Sequence, residues 1–478
     1  MNVVIPSPAR TQAFSWRKWL IVAGSFLYLF FCAIELTQVR DPLQGTHAVI
    51  PVAIALMPLC VFLTFRYPLI FPFGLYVLIA PVDALLAVSG AASLLKLIGA
   101  GAAGALILRT ILLRRALAPH RAWYLWLAFL AYATLSIAWA PDFFTGIGTT
   151  EYVPMILLFI MMTVLAIYPA EPREFKVMLA TVVAAGVCAA AYTLAQYHPG
   201  STLDASRIAL KGIDTATVED PNYLGGAFLL PFAVALAAVF FARTLIVRIV
   251  AAAALLPMVA AVLATGSRSA FLGLCIIVAY FIIRSKYRIQ ALLVAGGGFL
   301  LTLSFPTVMA RFMSKDTGSA DGRTDIWRTG MHTLGDHWLF GAGFGSYQYE
   351  YDRSVLKVFQ ETFAGWTRPG HSLIFVSLND FGVIGLVLVL ACWFVGFRSL
   401  RVIPKDHWLY GARFALEAAL LGLFVHMLFL DPIFVKYVWL AQSLPLLVLN
   451  LYAPNARGAI RATPRVPKPR WGASIRGV

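Results

Sequence analysis

YLGGAFLLPFAVALAAVFF, residues 223–241, carries no charged side chain over nineteen positions. That length matches the ~20 residues an α-helix needs to cross a hydrocarbon core of ~30 Å. Inside lipid every backbone amide needs an internal partner, which leaves helices or a closed barrel. The apolar residues run continuously rather than alternating with polar ones, and this selects helices. Reading outward from 223–241 yields fourteen candidate spans: 18–36, 48–65, 69–89, 93–112, 122–140, 150–168, 176–196, 222–242, 246–265, 268–284, 290–308, 371–396, 410–430 and 433–452. The connections around the second, third and fourth are very short, so about 12–14 transmembrane helices are expected. The fold class is therefore all-α, a polytopic integral membrane protein with one large outward loop.

Composition agrees. Of 478 residues, 60% are hydrophobic and 13% charged, against about 25% charged in a soluble domain. The net charge of +16 raises nucleic acid as a partner, but its distribution points elsewhere. With the N-terminus in the cytoplasm and the spans alternating, most Lys and Arg fall on the cytoplasmic side: Arg17 and Lys18, Arg114 and Arg115, Arg284 and Lys286, and the tail from Arg457 to Arg476. Most acidic residues fall on the other side. Basic cytoplasmic segments set topology, so the charge is a topological signal, the tail rests near anionic headgroups, and no nucleic acid is expected. The five cysteines sit in apolar spans without metal-ligand spacing and read as small core hydrophobes. The first span lacks a clear cleavage site and reads as a retained helix. The expected organisation is eleven spans over 1–308, an outward loop over 309–370, three spans over 371–452 and a basic tail over 453–478. A shorter outward segment runs from His198 to Asn222.

Three helices begin on the outward face with polar signatures. At Glu219-Asp220-Pro221-Asn222, Asp220 suits an N-cap with Pro221 at the first helical position; by itself this stretch reads first as a simple helix start. At Thr265-Gly266-Ser267-Arg268-Ser269, Gly266 permits a tight turn and the free amides form an anion site. Arg268 adds a planar, permanently charged fork; the alternative is an arginine snorkelling to the interface. At Gly370-His371-Ser372, the imidazole is either structural or a base titrating near neutrality. Within the large loop, Asp321-Gly322-Arg323-Thr324-Asp325-Ile326-Trp327-Arg328 offers two arginines that can close over a phosphate or remain exposed charges. Gly341-Ala342-Gly343-Phe344-Gly345 lacks the spacing and strand–helix context of a dinucleotide site and reads as a flexible turn. The loop's many aromatic residues suit either sugar faces or the headgroup layer. No Asp-x-Asp pair is present, so no metal site is expected.

Two of these motifs resemble a known family. Arg268-x-x-x-Leu272 is similar to the Arg-x3-Leu motif of O-antigen ligases. His371-Ser372, nine residues and then Gly382-x-x-Gly385 resembles that family's His-[Asn/Ser/Gln]-x9-Gly-x-x-Gly pattern at every position. The order Asp-Pro-Asn, Gly-Ser-Arg-Ser, Gly-Arg…Trp, Phe-Gly-x-Gly-Phe-Gly, His-Ser is also similar, over roughly residues 200–450. The wider superfamily includes polysaccharide polymerases. The resemblance implies a bacterial inner-membrane enzyme of surface polysaccharide biosynthesis, with cytoplasmic termini and a periplasmic site. It implies an undecaprenyl-pyrophosphate-linked glycan donor, a lipid A core or lipid-linked glycan acceptor, and metal-independent inverting transfer without a cofactor. It implies catalytic roles for His371, Arg268 and a loop arginine, Arg323, for which Arg328 is a rival. Ser267, Ser269, Asn222, Ser372, Trp327 and Arg328 would then contact substrate. Two alternatives remain: a polymerase joining lipid-linked repeats, and a secondary transporter using Asp83, Asp380 and Glu417 as intramembrane proton sites.

Overall fold

The computed structural model describes residues 56–57, 59–86, 94–114, 116–141, 143–144, 148–196, 220–284, 288–303, 319–358, 370–430 and 435–461. The expected span 18–36, the first part of span 48–65, most of segment 198–222, both ends of loop 309–370 and the tail beyond 461 lie outside the described residues.

Among the described residues every regular element is helical: α1 (Phe73–Ile79), α2 (Leu94–Leu112), α3 (Arg121–Ser136), α4 (Gly148–Ile167), α5 (Pro172–Ala195), α6 (Pro221–Ala227), α7 (Leu229–Phe241), α8 (Leu245–Thr265), α9 (Arg268–Arg284), α10 (Arg288–Leu303), α11 (Ser319–His337), α12 (Tyr347–Val358), α13 (Leu373–Ser399), α14 (Tyr410–Met427) and α15 (Lys436–Arg461). Seven are long and apolar enough to cross a membrane: α2, α3 with its following turn, α4, α5, α6 joined to α7, α8 and α13. The fold is thus an all-α polytopic membrane protein. The remaining expected spans differ in detail. The third, 69–89, is a shorter apolar helix among the described residues: α1 passes at Ala80-Pro81 into 3-10 turns over Ala80–Leu86 with a kink at Val82, where Pro81 has no N–H to continue the α-helical ladder. The helices α9 and α10 are shorter than the seven, and α14 carries Arg413, Glu417 and His426. The last helix, α15, continues past the expected end at 452 to Arg461.

The quoted stretch is the centre of the bundle. In α7, Leu229, Phe232, Ala233 and Leu236 are all buried, and α5, α8, α9 and α14 surround it. Small residues permit the close approaches. A Cβ at Gly186 on α5 would lie 2.5 Å from Pro231 Cβ of α7 and 2.7 Å from Met258 Sδ of α8. A Cβ at Gly273 of α9 would lie 2.9 Å from the Gly422 carbonyl of α14, and one at Gly422 would lie 2.8 Å from the Gly273 carbonyl. Without a hydrophobic drive between helices in lipid, such backbone-to-backbone packing supplies much of the association. The outward faces are apolar: Leu245, Ile246, Ile249 and Val250 of α8 and Ile289 and Leu293 of α10 are exposed, as lipid contact requires.

Side-chain bonds sort the helix ends into two groups. At one end Arg66 pairs with Glu171 at 3.0 Å, Asn450 Nδ2 donates to the Ala166 carbonyl, and Glu417 is held by Arg413 Nε at 3.1 Å and by the Tyr280 hydroxyl. At the other end Lys436 pairs with Asp83, and the Tyr132 hydroxyl donates to the carbonyls of Phe340 and Phe381 at 3.0 and 3.1 Å. Each bond joins residues that an alternating path of spans puts on the same side.

Candidate functional site

The candidate residues collect at the second end. Helix α8 stops where Gly266 adopts φ 63°, ψ 18°, a left-handed cap natural to glycine. The turn beyond it is lined with hydroxyls. Thr265 Oγ1 accepts from the Ser267 amide at 3.3 Å and donates to the Val262 carbonyl at 2.7 Å. Ser267 Oγ accepts from the Ala270 amide at 3.4 Å and lies 3.3 Å from Ser269 Oγ. Ser267 and Ser269 are buried, whereas Arg268, the first residue of α9, is half-buried. A cation there opposes the helix dipole, so helix stability does not account for it.

Helix α6 seats this turn. Asp220 caps it by accepting from the Asn222 amide at 2.7 Å, with Pro221 in the first position, and Asn222 is buried. A Cβ on Gly225 would lie 3.1 Å from both Ser267 Cβ and Thr265 Oγ1. On the other flank of α6, a Cβ on Gly226 would collide with His426 Nε2 and the Tyr437 hydroxyl. His426 is fully buried in the last turn of α14. Sequence reasoning passed over both residues. The available signals were an imidazole in an otherwise apolar final turn and a Gly-Gly pair in a helix that glycine disfavours.

The third part is the tip of α13. Ser372 caps it, accepting from the Phe375 amide at 3.5 Å. His371 holds φ 43°, a left-handed conformation costing an L-residue roughly 1–2 kcal/mol and of a kind that clusters at functional sites. About three turns on, α13 breaks: Gly382 has φ 64°, ψ −168°. The Phe340–Ser346 turn docks into the break. Ala342 and Gly343 amides donate to the carbonyls of Asn379 and Asp380 at 2.7 and 3.0 Å, and the Val383 amide donates to the Trp338 carbonyl at 2.9 Å. The Asp380 carboxylate, itself buried, accepts from the Gly345 amide at 3.1 Å and the Tyr347 amide at 2.8 Å. The glycine turn is therefore pinned and largely buried, not the flexible turn expected from its composition.

Helix α11 supplies the loop arginines. Arg328 is exposed. The backbone of Arg323 lies in the same helix, one turn before Trp327; its side chain is outside what the structure describes. Trp327 is no open platform for a sugar: its ring stacks on Phe375 at 5.3 Å and 16°, and lies 6.3 Å from Phe429. Of the other loop aromatics among the described residues, Phe344, Tyr347 and Tyr351 are buried, Tyr349 is half-buried, and Trp338 and Phe340 are exposed. On α12, burial raises the Asp352 carboxyl above its ordinary range.

Arg268 and His371 thus lie at one end of the bundle, joined in steps: the Arg268 turn to Gly225, Gly226 to His426, the α14 end at Phe429 to Trp327, and Trp327 to Phe375 behind His371. No group of three or more His, Cys, Asp or Glu able to hold a metal ion occurs among the described residues.

A bundle whose described elements are all helical, seven of them long and apolar enough to cross a membrane, is a polytopic membrane protein. Residues 252–390 match the family model for O-antigen ligase, so the chain carries a domain of the O-antigen ligase-related family. The match runs across Arg268, Arg323, Trp327, Arg328, His371 and the Gly382–Gly385 break, and excludes Asn222 and His426. The protein's function is accordingly of the O-antigen ligase or polymerase type, in surface polysaccharide biosynthesis, on lipid-linked glycan substrates in a membrane. No curated protein matches the chain.

Proposed function

We propose that the protein transfers a glycan from an undecaprenyl-pyrophosphate carrier to an acceptor hydroxyl at the periplasmic face of the bacterial inner membrane, with its termini in the cytoplasm. The observation that carries this reading is the gathering of Arg268 and His371, both inside the matched stretch, at one end of the bundle. His371 takes the proton as the acceptor oxygen attacks the anomeric carbon. The bond from that carbon to the diphosphate oxygen breaks, with inversion, and negative charge grows on the leaving polyprenyl diphosphate. Arg268 and the amides at the start of α9 stabilise that charge, and Arg323 or Arg328 closes over it from α11. Cationic side chains meet the charge that a divalent metal would otherwise neutralise. Ser267, Ser269 and Asn222 shape the anion turn, and Ser372 fixes the start of the His371 helix. The polyprenyl chain runs into lipid along the apolar faces.

The test uses the full-length protein in lipid nanodiscs with lipid-linked donor and each acceptor in turn. One discrete addition to a lipid A core identifies a ligase; a ladder on lipid-linked repeats identifies a polymerase. His371→Ala and Arg268→Ala each abolish transfer while the protein stays folded in the membrane. Wild-type turnover by either variant removes that residue from the mechanism, and Mg²⁺-dependent rescue after chelation contradicts metal independence.

A further inference from the structure

We infer that Asp380 and Tyr347 are the positioning pair that locks the His371 strap and the arginine-bearing helix α11 into one frame; this deepens the transfer reading and rests on it. Four observations converge on Tyr347. Its backbone amide is fixed by Asp380 Oδ1 at 2.8 Å, and the adjoining Gly345 amide by Oδ2 at 3.1 Å. Its hydroxyl donates to the Ile326 carbonyl at 3.1 Å, in the turn of α11 next to Trp327. Its ring lies between two glycines: a Cβ at Gly330 would be 3.3 Å from Tyr347 Cε2, and one at Gly370, the residue before His371, would be 3.2 Å from Cε1. Tyr351 stacks beside it at 6.2 Å and 28°.

These contacts form a chain of command with two branches. Asp380 sets the backbone height of Tyr347. The ring face then supports Gly370 and the left-handed His371, while the hydroxyl holds α11 at Ile326. Asn379 adds a parallel tie, donating to the Phe375 carbonyl at 2.9 Å and accepting from the Thr333 hydroxyl of α11. The carboxylate is suited to this task in two ways. It has two oxygens for two amides, and its charge strengthens bonds to backbone N–H groups. It also lies at the start of α12, where negative charge is favoured. Both residues are buried, so neither touches substrate; they act through the groups they hold.

The two branches separate in experiment. Asp380→Asn keeps the shape but turns an NH2 toward one of the two amides. The prediction is a fall in kcat of about tenfold or more, as expected when a base loses its alignment, with donor KM within about twofold of wild type. Tyr347→Phe keeps the ring and loses only the tie to α11, so it raises donor KM and leaves kcat nearly unchanged. A readout independent of glycan transfer accompanies both: the rate at which diethyl pyrocarbonate modifies His371, followed by peptide mass spectrometry with His120 as internal reference. Asp380→Asn changes the His371 rate at least about threefold; Tyr347→Phe leaves it alone. If wild-type protein transfers no glycan yet Asp380→Asn shifts the His371 rate, the transfer reading fails and the frame stands. If Asp380→Asn leaves both kcat and the His371 rate at wild-type values, the frame is wrong. If Asp380→Asn does not fold, Tyr347→Phe decides, and an unchanged donor KM overturns the inference.

Discussion

Gly382→Ala should release the glycine turn from α13. Gly382 sits at φ 64°, ψ −168°, a region essentially restricted to glycine, where another residue costs ~1–3 kcal/mol. The new methyl would also collide with the Leu339 carbonyl and the Gly341 amide. Relief of that collision pushes the turn outward and weakens the bonds from the Val383 amide to Trp338 and from the Ile384 amide to Leu339, at 2.9 and 3.4 Å. Each is worth ~0.5–1.5 kcal/mol, so the docked turn loses about 2–6 kcal/mol in total. A whole domain's stability is ~5–15 kcal/mol, and the variant should still fold. Local opening, however, becomes far easier. At ~1.4 kcal/mol per decade, the amides of Ala342, Gly343, Gly345 and Tyr347 should lose about thirtyfold protection or more against hydrogen exchange, read by mass spectrometry in nanodiscs. Gly335→Ala serves as control, because a Cβ there meets nothing within 4 Å. Protection unchanged in Gly382→Ala, with the protein intact, would refute the claim that the break and the turn hold each other.

Further outcomes follow from the same packing. Gly226→Ala drives a methyl into His426 and Tyr437; overpacking of this kind costs ~1–3 kcal/mol, so its melting temperature in micelles should fall, while Gly101→Ala, whose Cβ meets nothing within 4 Å, leaves it unchanged. At the opposite end, Arg413→Met strands the buried Glu417 carboxylate and should destabilise by ~3–5 kcal/mol. Arg66→Met removes an exposed pair with Glu171, the hydrogen bond that holds the Arg66 pKa up, and should cost under about 1 kcal/mol. Parallel thermal unfolding of the two variants checks that ordering.

What could be read along the chain was local. A charge-free run marks a helix because lipid leaves the backbone no other partner, and Asp220-Pro221 and Gly266 mark ends because caps need those side chains and that backbone freedom. The His-Ser and Gly-x-x-Gly residues could be found, but their division of labour could not. The glycine at 382 breaks the helix only because a turn some forty residues earlier supplies replacement hydrogen bonds, and no periodicity in 371–396 reveals that partner. The same holds for Asp380. At ~1.5 Å rise per residue it should lie ~13 Å below His371, too far to act on it directly. The structure resolves the difficulty through Tyr347, which reaches from the carboxylate to Gly370. The kink in the third expected span was not legible either: Pro81 removes an N–H from a run that composition alone reads as one continuous helix.

The intramembrane carboxylates bear on the choice between the proposed transfer and transport. A buried ionisable group in a membrane bundle is by default a candidate for moving ions or protons, and Asp83, Asp380 and Glu417 were such candidates. Each is committed to holding two elements together. Asp83 takes Lys436 at the start of α15; Glu417 takes Arg413 and Tyr280, tying α14 to α9; Asp380 takes two backbone amides of the docked turn. Protonating any of them gives up charge-assisted bonds to fixed backbone amides or to a cationic side chain. They are also divided between the two ends of the bundle, whereas alternating access needs a site near the midplane lined by broken helices of related halves. Helix α13 breaks at Gly382, towards the end where His371 and Arg268 lie, and its freed backbone groups are filled by the docked Phe340–Ser346 turn. An arrangement that spends its polar groups on a rigid frame at one boundary suits chemistry on a substrate anchored in that boundary. It does not suit a path across the membrane.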